Sequence, residues 1–231
     1  MDYILDGLAQ ALRLLFGGDP ETFSALWATV FSSSLAMLAS LLLGLPLGFW
    51  LGHGRFRGQR LVRTVVDTGL ALPTVLIGLV VYAFLSRRGP LGHWGLLFTL
   101  PGLAIGQAIL ALPVVVALTA SAVESLDRRL GMTLLTLGAS RRQLALTTMW
   151  EARHGLLAAA VNAYGRVVTE VGIAMMVGGN IKWHTRTVTT AIALETGKGE
   201  FAQGIALGMV LLAFALLVNL CLIRLRRGAT P

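Results

Sequence analysis

Charge is the scarcest resource in this sequence. Of its 231 residues only 13 % are Asp, Glu, Lys or Arg, against 55 % apolar, and the mean hydropathy is +0.76. A soluble domain carries about 25 % charged residues, so this chain is too poor in charge to cover a water-facing surface. Cysteine is almost absent: Cys221 alone excludes an internal disulfide or a thiolate metal site and reads as an apolar filler of the last hydrophobic run. The four histidines, at 53, 93, 154 and 184, share no metal-ligand spacing. There is no Gly-rich loop ending in Gly-Lys-Ser/Thr, which excludes nucleotide binding of the Walker type. No nucleophile with a base and no pair of catalytic carboxylates points to an enzyme. The formal charge of +8 comes without any nucleic-acid-binding motif, so the basic residues are read as topology signals.

What is present is length without charge. Residues 22–52, 68–86, 94–123 and 201–223 contain no Asp, Glu, Lys or Arg. Crossing about 30 Å of hydrocarbon at about 1.5 Å per residue takes roughly 20 residues, and these runs suffice. A fifth, 155–178, is long enough but carries Arg166 and Glu170. The expectation is an all-α integral membrane protein of about five transmembrane helices, spanning about 24–52, 66–86, 94–122, 155–178 and 201–223. These form a single transmembrane domain over 23–227, after an extracytoplasmic arm over 1–22. Asp2 and Asp6 stand where a signal peptide would be basic, so the first span is expected to insert and stay. Ile4, Leu5, Leu8, Leu12 and Leu15 recur at helical spacing, which predicts an arm lying on the outer membrane surface.

Lys and Arg collect on cytoplasmic flanks. With five spans, twelve fall on one side (Arg55 to Arg63, Arg128 to Arg153, Arg224 to Arg227) and six on the other. That predicts an outer N-terminus and a cytoplasmic C-terminus. The longest cytoplasmic stretch, about 124–150, places Leu130, Leu134 and Leu137 at i, i+4 and i+7, one helical face. Gly138-Ala139 then stops the helix, with Arg128, Arg129, Arg141 and Arg142 around it. A short projecting helix of this kind suits docking into a groove on a cytoplasmic partner.

This segment, in Thr136-Leu137-Gly138-Ala139-Ser140-Arg141-Arg142, resembles the cytoplasmic loop of ABC importer permeases. It differs from them in having Met149-Trp150 near the usual Leu-Pro, and Gly131-Met132-Thr133 where a Glu-Ala-Ala-like run is usual. Leu72-Pro73-Thr74-Val75 with Gly78, and Gly106-Gln107-Ala108 with Leu112-Pro113, are similar to oxyanion permeases. Arg166…Glu170-Val171-Gly172, Gly179-Asn180-Ile181 and Thr185-Arg186-Thr187 resemble molybdate and tungstate permeases. With Lys182-Trp183-His184 and the run from Ala193 to Gly199, the likeness is greatest to the tungstate branch. The resemblance implies a type I ABC importer permease fold in the bacterial cytoplasmic (inner) membrane. It implies a homodimer, two cytoplasmic ABC ATPase subunits gripping the 128–142 segment, and an extracytoplasmic oxyanion-binding protein. ATP and Mg would be bound by the ATPase partner, with no cofactor in this chain. The transported solute would be an oxyanion, tungstate first, with molybdate, sulfate or another small solute as alternatives. A secondary transporter is the alternative of a different class, but no internal repeat is visible.

Two sets of polar residues are candidate pathway or structural elements. Arg166 and Glu170, four apart, fall on one face of a continuous helix and are expected to pair. An isolated charge at mid-bilayer costs about 2.5–3.5 kcal/mol on insertion scales, which pairing would offset. Asn180, Thr185, Arg186 and Thr187, after span four, carry the donors an oxyanion needs, and equally suit an ordinary helix cap and loop. Proline and glycine punctuate the spans at Gly44-Pro46-Gly48, Gly69-Pro73-Gly78 and Pro101-Gly102-Gly106-Pro113, which predicts kinks and close packing.

Overall fold

The computed structural model describes residues 2–54 and 56–227, and within them the described residues form helices and turns only. Arg55 and the side chains of Asp2, Ile4, Leu5, Leu15, Arg128, Cys221, Arg226 and Arg227, all used above, lie outside the described residues.

Three helices are long and apolar enough to span a membrane unbroken: α2 (Pro20–His53), α5 (Leu100–Glu124) and α10 (Phe201–Arg227). α2 starts where the Asp19 carboxylate accepts the Thr22 amide at 2.8 Å and Pro20 presets the first turn. It ends at Gly54. α2 and α5 run parallel and very close. Ser40 donates to the Ala108 carbonyl at 3.2 Å. A Cβ on Gly44 would lie 2.7 Å from Val115 Cγ1, one on Gly48 2.5 Å from Thr119 Cβ, and one on Gly52 2.5 Å from the Ala120 carbonyl oxygen. Glycine at every fourth position thus makes a groove that admits the other helix, the membrane equivalent of a knob-free seam. Ala36, Met37, Ala104, Ala111 and Val115 fill the contact, and Ala163 and Val167 of α8 (Arg153–Val168) close over it.

The second and fourth expected spans are not continuous helices. Residues 66–86 belong to α3 (Gln59–Leu70) and α4 (Thr74–Leu85), which meet at a 98° bend. Pro73 cannot continue the α3 ladder and pushes the residue before it out of helical geometry. Residues 155–178 contain most of α8, a break at 169–171, and a short helix ending in a π-helical turn, Ala174–Gly178. α8 alone, at 16 residues, falls short of a full span.

α1 (Asp2–Phe16) packs along the start of α10. Gly7 and Ala11 are buried there, a Cβ on Gly7 would sit 2.7 Å from Ile205 Cγ2, and Gln10 Nε2 donates to Gln203 Oε1. Leu8 and Leu12, part of the expected apolar stripe, stay exposed. The helix docks by its small residues, with Leu14 packed towards Ala25 and Leu207 and with Leu8 and Leu12 left outward. α9 (Val188–Gly197) packs between α10 and α2, and α6 (Arg128–Thr136) and α7 (Arg141–Glu151) form the projecting segment between α5 and α8.

Candidate functional site

The two breaks lie against each other. A Cβ on Gly172 would come within 3.0 Å of Thr74 Oγ1 and of Val75 Cγ2, and one on Gly78 within 3.1 Å of the Ile173 backbone. Ile77, Val81 and Leu85 of α4 pack with Ile173, Ala174 and Val177 beyond the α8 break. Each broken span is therefore held by the other, level with the middle of α5: Gly69, one residue before Leu70, abuts Pro113, halfway along that helix.

Arg166 and Glu170 do not pair, contrary to the expectation. The i, i+4 rule holds only on a continuing helix, and α8 stops at Val168. Arg166 Nη2 instead donates to the Leu70 carbonyl at 3.2 Å, at the C-terminal end of α3, where the helix dipole and a free carbonyl favour a cation. Glu170 turns inward and is buried. Its Oε1 accepts the Ile173 amide at 3.0 Å, capping the short helix that follows, and its backbone carbonyl accepts from Thr189 Oγ1 at 2.9 Å. One side chain closes the end of a half-helix and the other opens the start of another.

The loop after the break is scaffold. Thr185, fully buried, donates through Oγ1 to the Gly178 carbonyl and accepts the Ile181 amide at 3.2 Å. Thr187 caps α9 in a capping box with Thr190, and its hydroxyl also meets Thr189 Oγ1 at 2.9 Å. Arg186 Nε donates to Asn180 Oδ1 at 3.1 Å and its Nη1 to Glu21 Oε1 at 2.5 Å; Lys182 reaches Glu21 Oε2 at 2.6 Å. Asn180 and Trp183 adopt positive φ, +50° and +65°. Gly179, at φ +73°, leaves room for the Phe98 ring, which a Cβ would strike at 2.6 Å. The Thr185 hydroxyl ties the loop to Gly178, the Thr187 hydroxyl opens α9, and the Arg186 guanidinium ties the loop to α2. They do not form an open ring of donors.

The projecting segment is built by caps. Asp127 Oδ1 accepts the Arg129 amide at 2.9 Å to start α6. At its end Gly138 takes φ +77°, with the Ala139 amide on the Leu134 carbonyl and the Gly138 amide on the Leu135 carbonyl, both 3.0 Å. This is a Schellman stop, and it explains the glycine. Ser140 then caps α7 reciprocally with Gln143. Leu130 and Leu134 are half-buried, while Leu137 is 78 % exposed and Met132 and Leu135 are exposed beside it. The exposed apolar face of the segment is thus Met132, Leu135 and Leu137, rotated from the expected Leu130–Leu134–Leu137 line. Arg129, Arg141 and Arg142 are exposed around it, and Ala139 is half-buried. Beneath α6 a cleft of about 780 Å³ separates it from the ends of α2 and α5, lined by His53, Gln59, Glu124, Asp127 and Leu130 among others.

Two features went unread in the sequence. The third glycine of the α2 seam, Gly52, was visible as a period of four. Glu21 was not, because its partners Lys182 and Arg186 lie more than 160 residues away. Among the described residues no group of three or more His, Cys, Asp or Glu is placed to hold a metal ion.

The family model described as binding-protein-dependent transport system inner membrane component matches residues 44–228. The chain is 49 % identical to the tungstate uptake system permease protein TupB of Campylobacter jejuni over 98 % of its own length and 95 % of the relative's. It is 38 % identical to the TupB protein of Peptoclostridium acidaminophilum over 95 % and 96 % of the two chains. Its fold matches a chain of the MetNI methionine ABC transporter in an inward-facing conformation with a TM-score of 0.75, covering 91 % of this chain and 97 % of that one at 17 % identity. Broken spans, a capped projecting segment and an unbroken helical scaffold are thus the features of a member of the binding-protein-dependent transport system inner membrane components, and this chain belongs to that family of ABC importer permeases.

Proposed function

We propose that this chain is the membrane subunit of an ATP-driven importer whose solute is tungstate. The observation that carries the reading is near-full-length similarity, at 49 % identity, to a tungstate uptake permease. Two copies would form the pathway in a cytoplasmic membrane, with the N-terminus outside and the C-terminus inside. Energy comes from elsewhere, since this chain has no Walker loop. Two ATPase subunits would seat on α6, where Met132, Leu135 and Leu137 offer an apolar knob ringed by Arg129, Arg141 and Arg142. A binding protein would deliver the anion at the outer loops.

The breaks suit alternating access. Each joins rigid half-helices through a few residues, so a pull on α6 and α7, which lead directly into α8, can change the angle at 169–171 without melting a helix. The test is uptake into vesicles that contain the permease, its ATPase and the cognate binding protein. Tungstate should enter only with ATP inside the complex and binding protein outside, and faster than molybdate or sulfate. Equal or greater uptake of molybdate or sulfate would reassign the solute. A cytoplasm-dependent reporter should be active when fused after Arg227 and silent after Gly89; the reverse would invert the topology.

A further inference from the structure

We infer that Arg166 is a pathway contact for the transported anion and sets which charge of solute passes; this rests on the import function just proposed. The first observation is depth. Arg166 lies 13 residues into α8 from Arg153, about 20 Å at 1.5 Å per residue, and it reaches Leu70 beside the Gly69–Pro113 contact, level with the middle of the spanning helix α5. The second is that no acid neutralises it. Among the described residues the ion pairs are Arg63 with Asp67 and Glu124, Glu21 with Lys182 and Arg186, and Lys198 with Glu195. Glu170, the acid nearest in sequence, is committed to the Ile173 amide.

The third observation is spare capacity. A guanidinium has five N–H donors, and here a single hydrogen bond, to the Leu70 carbonyl, occupies it while the side chain remains exposed. The fourth is position at a backbone break. Irregular backbone at this depth is tolerated where it is buried or lines a water-filled cavity, and a charged side chain within a span faces such a cavity or the bundle interior. A guanidinium exposed on the single chain here is therefore placed to face the water path between two copies rather than lipid. Its planar fork matches two oxygens of a tetrahedral oxyanion. One fixed charge attracts a dianion without the many donors that would trap it, the balance that conduction requires. The hydrogen bond to Leu70 anchors the fork at the end of α3.

The competing role is a latch that merely holds that helix end. Arg166→Lys keeps the charge, whereas Arg166→Gln keeps an amide donor and loses the charge. In vesicles carrying the full complex, Arg166→Gln should lower tungstate uptake at least about fivefold, the scale of one lost charge partner about 4 Å away in water, while binding-protein-stimulated ATP hydrolysis persists. Arg166→Lys should retain most uptake. Arg166→Cys combined with Cys221→Ser, already assembled, gives a readout independent of folding. A cationic methanethiosulfonate should label it, restore uptake, and be slowed by tungstate; an anionic reagent should label without restoring. Normal uptake by Arg166→Gln, parallel loss of uptake and ATP hydrolysis, or a thiol that neither reagent reaches would each overturn the inference. If the unmodified complex imports no tungstate, it is instead the proposed function that fails.

Discussion

The unbroken spans and the broken ones solve the same problem, crossing an apolar slab, by opposite means. α2 and α5 run unbroken, losing one ladder hydrogen bond each at Pro46 and Pro113, and use glycine at 44, 48 and 52 of α2 for close contact. α3–α4 and α8 with the short helix after it expose carbonyls and amides at mid-slab, and must recruit side chains for them: Arg166 on Leu70, Glu170 on Ile173, Thr189 on Glu170. Unsatisfied backbone groups in hydrocarbon cost several kcal/mol each. The breaks thus account for Arg166, Glu170 and Thr189, while Ser32, Ser33, Gln107 and Thr119 are buried in the unbroken α2 and α5. On the function proposed above, the difference separates a rigid half of the molecule from a half that would change angle.

The comparison is broken most severely at the glycine seam. Gly48→Leu places its Cβ 2.5 Å from Thr119 Cβ and 2.7 Å from the Val116 carbonyl oxygen, and backbone cannot step aside. Overpacking of this kind costs about 3 kcal/mol, and the expected outcome is loss of the monodisperse peak when the detergent-solubilised protein is run on a sizing column. Glu170→Ala comes next. It strips the cap from the Ile173 amide, worth about 1–2 kcal/mol, and should lower thermal stability measurably. Glu170→Gln keeps an acceptor oxygen and should lower it far less, the reverse of what an Arg166–Glu170 ion pair would give. Smallest is Gly138. Nothing lies within 4 Å of a Cβ there, so only φ +77° opposes substitution. Gly138→Val should cost about 1–2 kcal/mol locally and weaken co-purification of the ATPase, while Gly138→Asn, at home in the left-handed region, should hardly change it.

How much of this was legible follows the same division. α2, α5 and α10 were readable because a run without charge has few other meanings. Leu72-Pro73 marked a kink but not its 98° size, which depends on α4 finding Ile173 and Val177. The Arg166–Glu170 spacing misled because it presumed a helix that Glu170 itself ends by taking the Ile173 amide, a local side-chain bond competing with the ladder. Gly138-Ala139 was read correctly as a stop, since a Schellman glycine is a local feature. Which leucines the stop leaves outward was not, because that depends on how α6 sits over α2 and α5. Asn180, Thr185 and Thr187 carried donors in plain view, and only the fold reveals that their oxygens already serve the loop.

The division into scaffold and moving half is tested most directly by water access at single cysteines in the Cys221→Ser protein, reconstituted with its ATPase. Cysteines would replace Thr68, Thr74 and Thr169, on and beside the broken spans, and Leu38 and Leu42, on the exposed face of α2. The expected result is rapid reaction with a charged thiol reagent at 68, 74 and 169, with rates that change on adding ATP, and slow, ATP-independent reaction at 38 and 42. Equal, ATP-insensitive rates at all five positions, or reaction confined to α2, would contradict the assignment of the pathway to the broken spans.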